Sequence, residues 1–213
     1  MASPRIKFCG ITSLSDARLA VEAGAWALGT ILWPGSERRC DPAEAARIAA
    51  ELRRQAEIAG VFVNQPLDEV IGLADGIGLS LVQLHGDEGP SFCAEVARRT
   101  GAKVIKAARI RSGSDVQAME AFHTDFHLLD THRAGLYGGT GETFDWELVR
   151  LRRTSVPLIL SGGLTPENVA AAIAAVHPFA VDVASGTEAS PGVKDPAKLR
   201  AFAEAVHGAE VAA

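Results

Sequence analysis

Short apolar runs alternate along the chain with longer segments in which apolar and polar residues recur with a helical period. Apolar runs this short are typical of strands that are buried on both faces, as they are in parallel sheets. The predicted strands cover residues 5–9, 25–32, 59–63, 79–84, 102–107, 126–130, 157–161 and 179–183.

The segments between these strands carry signals for the start and end of helices. Ser13 is suited to cap a helix that ends before Gly24, and Pro42 suits the first turn of the next helix. The predicted helices cover residues 13–23, 42–54, 66–74, 88–100, 114–122, 146–153, 166–176 and 196–207.

Strict alternation of strands and helices predicts an α/β fold with a parallel sheet covered by helices. Eight strand-helix units in roughly 200–250 residues indicate a closed (β/α)8 TIM barrel. An open doubly wound sheet is the alternative, because its strands have the same appearance in sequence, but the number of units favours the barrel. No linker divides the chain, so residues 1–213 are predicted to form a single domain with a frayed tail after about residue 207.

Composition narrows the class of protein. The net charge of −5 argues against broad nucleic-acid binding, although backbone amides can still bind an anionic small molecule. No apolar run approaches the ~20 residues of a membrane span, and the N-terminus lacks the pattern of a signal peptide, so we expect a cytoplasmic protein without a membrane partner.

The three cysteines lack disulfide-type or metal-type spacing, so no metal site is expected. Few apolar stripes remain on the Ala-rich helices, which favours a monomer.

Active sites of such barrels lie at the C-terminal ends of the strands. Asp130 ends the strand at 126–130, and a loop with glycines at 135, 138, 139 and 141 follows. These glycines permit left-handed turns and close approach to a ligand, so acid-base chemistry is expected there. A turn-capping role is the alternative for Asp130. Other residues at or just after strand ends are Cys9, Arg38, Gln83 and His85.

Small residues follow the last two predicted strands. Gly162 and Gly163 come after one strand, and Ser185 and Gly186 come after the next. Loops at these positions of a barrel often bind phosphate through backbone N–H groups, although such loops can also be plain helix caps and tight turns. The occurrence of small residues after both strands favours phosphate binding over plain turns. The segment GGTGET resembles a P-loop only superficially, since Glu142 stands where the lysine belongs.

Several motifs stand in one order along the chain. They are KFCGIT at 7–12, GVFVN at 60–64, VQLHGDE at 82–88, LLD followed by GGTGETFDW, SGGLTPENV from residue 161, DVASGTE from residue 182, and PGVKDP at 191–196. Together they resemble phosphoribosylanthranilate isomerase, a (β/α)8 enzyme family of tryptophan biosynthesis, over about residues 5–206. The resemblance implies a cofactor-free Amadori rearrangement of N-(5-phosphoribosyl)anthranilate to 1-(2-carboxyphenylamino)-1-deoxyribulose 5-phosphate.

The resemblance also implies roles for single residues. Cys9 matches the family's general base, Asp130 matches its general acid, and Arg38 matches the arginine that meets the anthranilate carboxylate. The remaining expected substrate ligands are Gln83, His85, Gly139 and Gly141, and the expected phosphate ligands are Gly162, Gly163, Ser185 and Gly186.

Some positions depart from the family pattern, and some alternatives stay open. Glu142 replaces a lysine of the glycine loop, Glu37 a proline beside Arg38, and Ala184 a serine before Ser185. His85 could be a structural histidine. A related sugar isomerase of histidine biosynthesis would use a pair of aspartates, which Cys9 argues against. A catalytically silent phosphosugar-binding barrel would need neither Cys9 nor Asp130.

Overall fold

Eight parallel strands form a closed barrel in the computed structural model, which describes residues 3–130 and 146–209. Each strand pairs with the next one in sequence, and the last pairs with the first. The strands are β1 (Arg5–Cys9), β2 (Ala27–Ile31), β3 (Glu57–Phe62), β4 (Leu81–Leu84), β5 (Lys103–Arg109), β6 (Phe126–Asp130), β7 (Leu158–Ser161) and β8 (Ala180–Val183). The predicted (β/α)8 barrel is therefore confirmed, and its strand ends shift by no more than two residues.

Helices cover the outside of the barrel. Those described are α1 (Leu14–Glu22), α2 (Pro42–Leu52), α3 (Leu67–Ile77), α4 (Pro90–Thr100), α5 (Gly113–Ala118), α6 (Val169–Val176) and α7 (Pro196–His207), with 3₁₀ turns at Met119–Ala121, Trp146–Leu151 and Ser185–Thr187. Their buried faces follow the helical period: α2, for example, buries Ala45, Ile48, Ala49 and Leu52. A short antiparallel hairpin follows β8, formed by β9 (Glu188–Ser190) and β10 (Val193–Lys194).

Several helix predictions differ from the structure. The helix predicted for residues 114–122 is α-helical only as far as Ala118 and continues as a 3₁₀ turn to Ala121. Residues 146–151 form a 3₁₀ helix, in which the N–H of Arg152 bonds to the carbonyl of Val149 three residues back. The last turn before α6 is shaped by the side chain of Asn168, so that helix begins at Val169. In contrast, α3 continues past Gly76 and ends where Gly78 adopts a left-handed conformation with φ of 77°.

The barrel interior is apolar at the bottom and polar at the top. Trp26, Phe126 and Phe179 lie at the N-terminal ends of their strands, with ring centroids 5.3 to 5.6 Å apart. The guanidinium of Arg5 lies 4.9 Å from the ring centroid of Phe179. Aromatic rings therefore pack across the N-terminal end of the barrel, whereas polar residues gather at the opposite end.

Candidate active site

Cys9 is the last residue of β1 and lies inside the rim, with 6% of its surface exposed. Its partner on β2 is Gly29. A Cβ atom at Gly29 would lie only 2.8 Å from the Sγ atom of Cys9 and 3.0 Å from the Nζ atom of Lys7. The missing side chain therefore provides the space that the thiol and the ammonium group occupy together.

A buried ion pair lies directly below the thiol. Lys7 is fully buried, and its Nζ atom lies 2.7 Å from Oδ1 of Asp182 on β8. The hydroxyl of Ser161 donates to Oδ2 of the same carboxylate at 3.1 Å. Burial alone would lower the pKa of Lys7, but Asp182 and Cys9 together outweigh it and raise that pKa above its ordinary value. Lys7 is therefore a buried ammonium ion inside the barrel, next to the thiol.

A second buried lysine comes from the hairpin after β8. Lys194 donates from Nζ to the carbonyl of Ala184 at 3.0 Å and to the hydroxyl of Thr187 at 3.3 Å, and it lies 3.6 Å from Oε1 of Glu188. Burial lowers the pKa of Lys194, although Glu188, Cys9 and Asp182 act in the opposite direction. The hairpin thus places another basic group near the thiol.

The pKa of Cys9 reflects opposing influences. Burial raises it above its ordinary value, since a thiolate is poorly solvated inside the barrel. The ammonium groups of Lys7 and Lys194 lower it, whereas the carboxylate of Asp182 raises it further. Burial also raises the pKa of the remote cysteines, to about 12 at Cys40 and about 11 at Cys93, but neither of them has a flanking pair of lysines.

Arg38 lies over the turn that follows Cys9. A Cβ atom on Gly10, which has a φ of 76°, would be 3.2 Å from Cδ of Arg38 and 3.1 Å from Oε1 of Glu188. The Nε atom of Arg38 donates to both oxygens of Glu188 at 2.9 and 3.0 Å. Nη1 also contacts the exposed carboxylate of Glu37 at 2.7 Å. The guanidinium is therefore fixed in direction at the rim beside the thiol.

Asp130 ends β6, on the far side of the barrel from β1 and β2. Oδ2 of Asp130 lies 3.6 Å from Nε2 of His85, and Nδ1 of His85 lies 3.1 Å from Nε2 of Gln83. Gln83 is almost fully buried, whereas His85 is partly exposed at the rim. If the Gln83 amide donates to Nδ1, the neutral imidazole carries its proton on Nε2 and directs it toward Asp130. The three side chains thus form a row that leads from the barrel interior to the acid.

The predicted phosphate loops meet at the rim. Gly162 and Gly163 follow β7 with φ angles of 104° and 62°, which favour glycine. Asn168 donates to the carbonyl of Gly163 at 2.9 Å and accepts from the N–H of Thr165, which fixes the shape of this loop. Gly186, in the 3₁₀ turn that begins at Ser185, packs against the carbonyl of Leu164, so close that a Cβ atom would clash with it.

A cavity of about 650 Å³ opens at the same end of the barrel, beside the loops that follow β3, β4 and β5. Trp33, His85 and Arg109 contribute to its wall. Arg109 ends β5 and is paired in register with Asp130. The residues that line the cavity do not include those of the loops after β7 and β8.

Sequence reasoning placed most of these residues at one rim, and the structure brings Cys9, Arg38, Gln83, His85 and Asp130 together there with both small-residue loops. Gly139 and Gly141, expected to bind substrate, and Glu142 lie outside the described residues. The residues that sequence reasoning missed are Lys7, Gly29, Arg109, Asp182, Glu188 and Lys194.

Within the described ranges, no group of His, Cys, Asp and Glu side chains is arranged to hold a metal ion, and no helix there is long and apolar enough to cross a membrane.

Comparison with known proteins gives a consistent result over nearly the whole chain. A family model described as N-(5'phosphoribosyl)anthranilate (PRA) isomerase matches residues 6–205. A protein of Pelobacter propionicus named N-(5'-phosphoribosyl)anthranilate isomerase is 46% identical over 198 residues, which cover 93% of each chain.

Solved structures agree with the sequence relatives. The crystal structure of phosphoribosyl anthranilate isomerase from Thermotoga maritima matches with a TM-score of 0.85 and 42% identity, covering 96% of this chain and 99% of that one. Another structure of such an isomerase, in complex with reduced 1-(o-carboxyphenylamino)-1-deoxyribulose 5-phosphate, matches with a TM-score of 0.82 and 40% identity over the same shares of the two chains.

Proposed function

The chain belongs to the phosphoribosylanthranilate isomerase family and is therefore an isomerase of tryptophan biosynthesis, and we propose that Cys9 and Asp130 are the base and the acid of its reaction. The observation that carries this assignment is their placement at the C-terminal ends of β1 and β6 in one barrel, where a substrate between them would meet both. No cofactor takes part in the proposed steps.

The first step is opening of the ribose ring of N-(5-phosphoribosyl)anthranilate. Asp130, when it carries a proton, donates it to the ring oxygen, and the bond between that oxygen and C1 breaks. The nitrogen lone pair forms the new C=N bond, which leaves an open-chain iminium ion. His85 is placed to orient the acid, since its Nε2 lies 3.6 Å from Oδ2 of Asp130.

The second step is removal of the proton on C2, which the iminium ion makes acidic. Cys9 as thiolate takes this proton, and the electrons of the C–H bond form an enolamine. Return of a proton to C1 and loss of the proton on the C2 hydroxyl give the aminoketone product. The net change is an isomerisation, so no oxidant or reductant is consumed.

Binding of the two anionic ends of the substrate would align it between these groups. The N–H groups of the loops at Gly162–Gly163 and Ser185–Gly186 are proposed to hold the phosphate, since their conformations leave no side chain in the way. Arg38 is proposed to meet the anthranilate carboxylate, since a planar guanidinium matches it and the two glutamates hold the guanidinium beside Cys9. Gln83, Gly139 and Gly141 complete the proposed set of substrate contacts.

The same proposal takes residues 1–213 as one domain and the protein as a cytoplasmic monomer. Its net charge of −5 disfavours a nucleic-acid partner, and the proposed reaction needs no membrane.

The decisive experiment follows the fluorescence decay of phosphoribosylanthranilate with wild type, Cys9→Ala and Asp130→Asn. We expect rapid conversion by wild type and a loss of ~10²-fold or more in kcat for each variant, the usual minimum for a missing acid or base. Cys93→Ala, which removes a buried thiol on α4 away from the rim, is the matched control and should keep wild-type activity. Binding without conversion by the wild type would exclude the isomerase and leave a silent phosphosugar-binding barrel.

A further inference from the structure

The thiolate that the proposed function requires must exist inside the barrel, where burial opposes negative charge. The charged groups around Cys9 bear on this requirement. Lys7 faces it from β1, Asp182 from β8 and Lys194 from β10. Arg38 and Glu188 face each other across Gly10 beside it. The paired residue of β2 is Gly29, which adds no charge.

The charged groups around Cys9 include more cations than buried carboxylates. Three cations, Lys7, Lys194 and Arg38, pair with the two buried carboxylates of Asp182 and Glu188. The carboxylate of Asp16 accepts from the backbone N–H of Lys194 at 3.0 Å. The carboxylate of Glu37 is on the solvent side, with 66% of its side chain exposed, so water screens its charge. A third negative charge, on Cys9 as thiolate, would therefore be balanced by cations that are already in place.

The geometry brings Lys7 close to the thiol. The Sγ atom of Cys9 and the Nζ atom of Lys7 both lie within 3.0 Å of one point, the place of the missing Cβ of Gly29. The Lys7 ammonium is held there by Asp182 at 2.7 Å, so it cannot move out to solvent. Lys194 is likewise fixed by the carbonyl of Ala184 at 3.0 Å. Opposite charges at such distances favour the ionised form of a buried group.

We propose that Lys7 and Lys194 are positioning residues that favour the thiolate form of Cys9 against the opposing effect of burial, with Asp182 fixing Lys7 in place. Neither lysine exchanges a proton with the substrate in this scheme. Their role is to supply positive charge to the base from inside the barrel and from the hairpin after β8. The inference deepens the proposed function, because it states how the base of that reaction becomes available.

The test measures the ionisation of Cys9 without any substrate. The rate of alkylation of Cys9 by iodoacetamide is followed against pH, with the modified peptide quantified by mass spectrometry in wild type, Lys7→Met and Lys194→Met. Cys40 and Cys93 do not interfere, since they lie far from Cys9 in the sequence and are quantified on different peptides. Lys103→Met is the matched control, because Lys103 is an exposed lysine at the opposite end of the barrel.

In both variants at the site, the alkylation midpoint should move to higher pH by about one unit or more, the usual effect of losing a close opposite charge. The midpoint of Lys103→Met should equal that of wild type. The acidic limb of the profile of kcat against pH should shift in the same direction, with KM nearly unchanged. Lys7→Met leaves Asp182 without its buried partner, so the folding of this variant is checked by circular dichroism. If Lys7→Met does not fold, the test rests on Lys194→Met, in which Glu188 keeps its ion pair with Arg38.

Unchanged midpoints in the folded lysine variants would overturn the inference. Failure of the proposed function is a different result: wild type would then not convert phosphoribosylanthranilate, whatever the alkylation midpoints show. Unchanged midpoints together with a shifted kcat profile would also reject the thiolate role, since the lysines would then act on another group.

Discussion

Gly29 shows how one absent side chain can define a catalytic site. Its missing Cβ leaves space for the thiol of Cys9, the ammonium of Lys7 and the backbone of Cys9, whose Cα would be 3.1 Å from an added carbon. Because one of these neighbours is backbone, the strand pair cannot relax simply by turning a side chain. The position therefore tolerates no larger residue without movement of the base.

We predict that Gly29→Ala lowers kcat/KM by ~10²-fold, since a displacement of about 1 Å at a catalytic group has effects of this size. The free energy of unfolding should fall by about 1–3 kcal/mol, as is usual for overpacking. Activity assays and urea unfolding measure the two effects. Gly72→Ala is the control: it lies in α3 with nothing within 4 Å of an added Cβ, so stability should rise by up to ~1 kcal/mol at unchanged activity. Wild-type activity in Gly29→Ala would contradict this reading of the site.

At the residue scale, the sequence predicted that Cys9 and Asp130 lie at strand ends but not which charged groups surround them. Cys9 and Asp130 end strands, and a strand end can be recognised from the apolar run before it. Lys7 and Asp182 lie inside such runs, and the strands of a parallel sheet are buried on both faces, so the pattern does not say which face of the strand they occupy. Their charge was nevertheless a usable signal, because a charged residue in a buried strand needs a partner.

At the element scale, one buried ion pair ties together the loops after β3 and β4 and the strand β5. The carboxylate of Glu88 accepts from the N–H of Asn64 at 2.8 Å, from the N–H of Gly86 at 2.9 Å and from Nζ of Lys106 at 2.9 Å. Lys106 also donates to the carbonyl of Gly86 at 2.7 Å. These contacts hold the segment that carries His85, although neither Glu88 nor Lys106 belongs to the proposed chemistry.

Removal of the Glu88 charge should therefore destabilise the barrel. We predict that Glu88→Gln lowers the free energy of unfolding by about 3–5 kcal/mol, the typical cost of leaving a buried charge such as Lys106 without its partner. Urea unfolding followed by fluorescence measures this change. Glu95→Gln is the control, because its ion pair with Arg98 is exposed on α4 and should contribute less than about 1 kcal/mol. Equal effects of the two substitutions would show that the buried pair has no special role.

Element boundaries were predicted well where propensity and packing agree. The strand β1 and the helix α7 have the predicted limits, with Asp195 as the cap of α7 accepting from the N–H of Ala197. The segment 146–151 was predicted as α-helix but is 3₁₀, since so short a segment gains little from helical propensity and takes the geometry that its connections allow. Hydrogen bonds such as that from Nη2 of Arg152 to the carbonyl of Val156 belong to the tertiary structure and have no signature in the sequence.

At the scale of the whole molecule, the surface of the described residues offers little apolar area for association. The large apolar residues exposed there are Trp33, Leu151 and Val193, which belong to three separate segments of the chain. Trp33 also lines the cavity at the rim. Stable interfaces usually bury a contiguous apolar centre, which scattered residues do not provide.

We therefore predict that the protein sediments as a monomer of 22.3 kDa at micromolar concentration. Analytical ultracentrifugation over a hundredfold range of concentration measures this directly. A mass of twice this value that persists on dilution would contradict the prediction. In that case, Val193→Ser and Leu151→Ser, made separately, would show which exposed segment forms the interface.

The pairing of Lys7 with Asp182 joins β1 to β8, residues that are 175 positions apart. These two strands are the first and the last of the barrel, so the seam that closes the cylinder runs through the site. The base is therefore completed only when the end of the chain has returned to its beginning. Under the proposed function, a chain in which β8 has not paired with β1 lacks the carboxylate that fixes Lys7 beside the thiol, so we expect release of β8 alone to abolish activity.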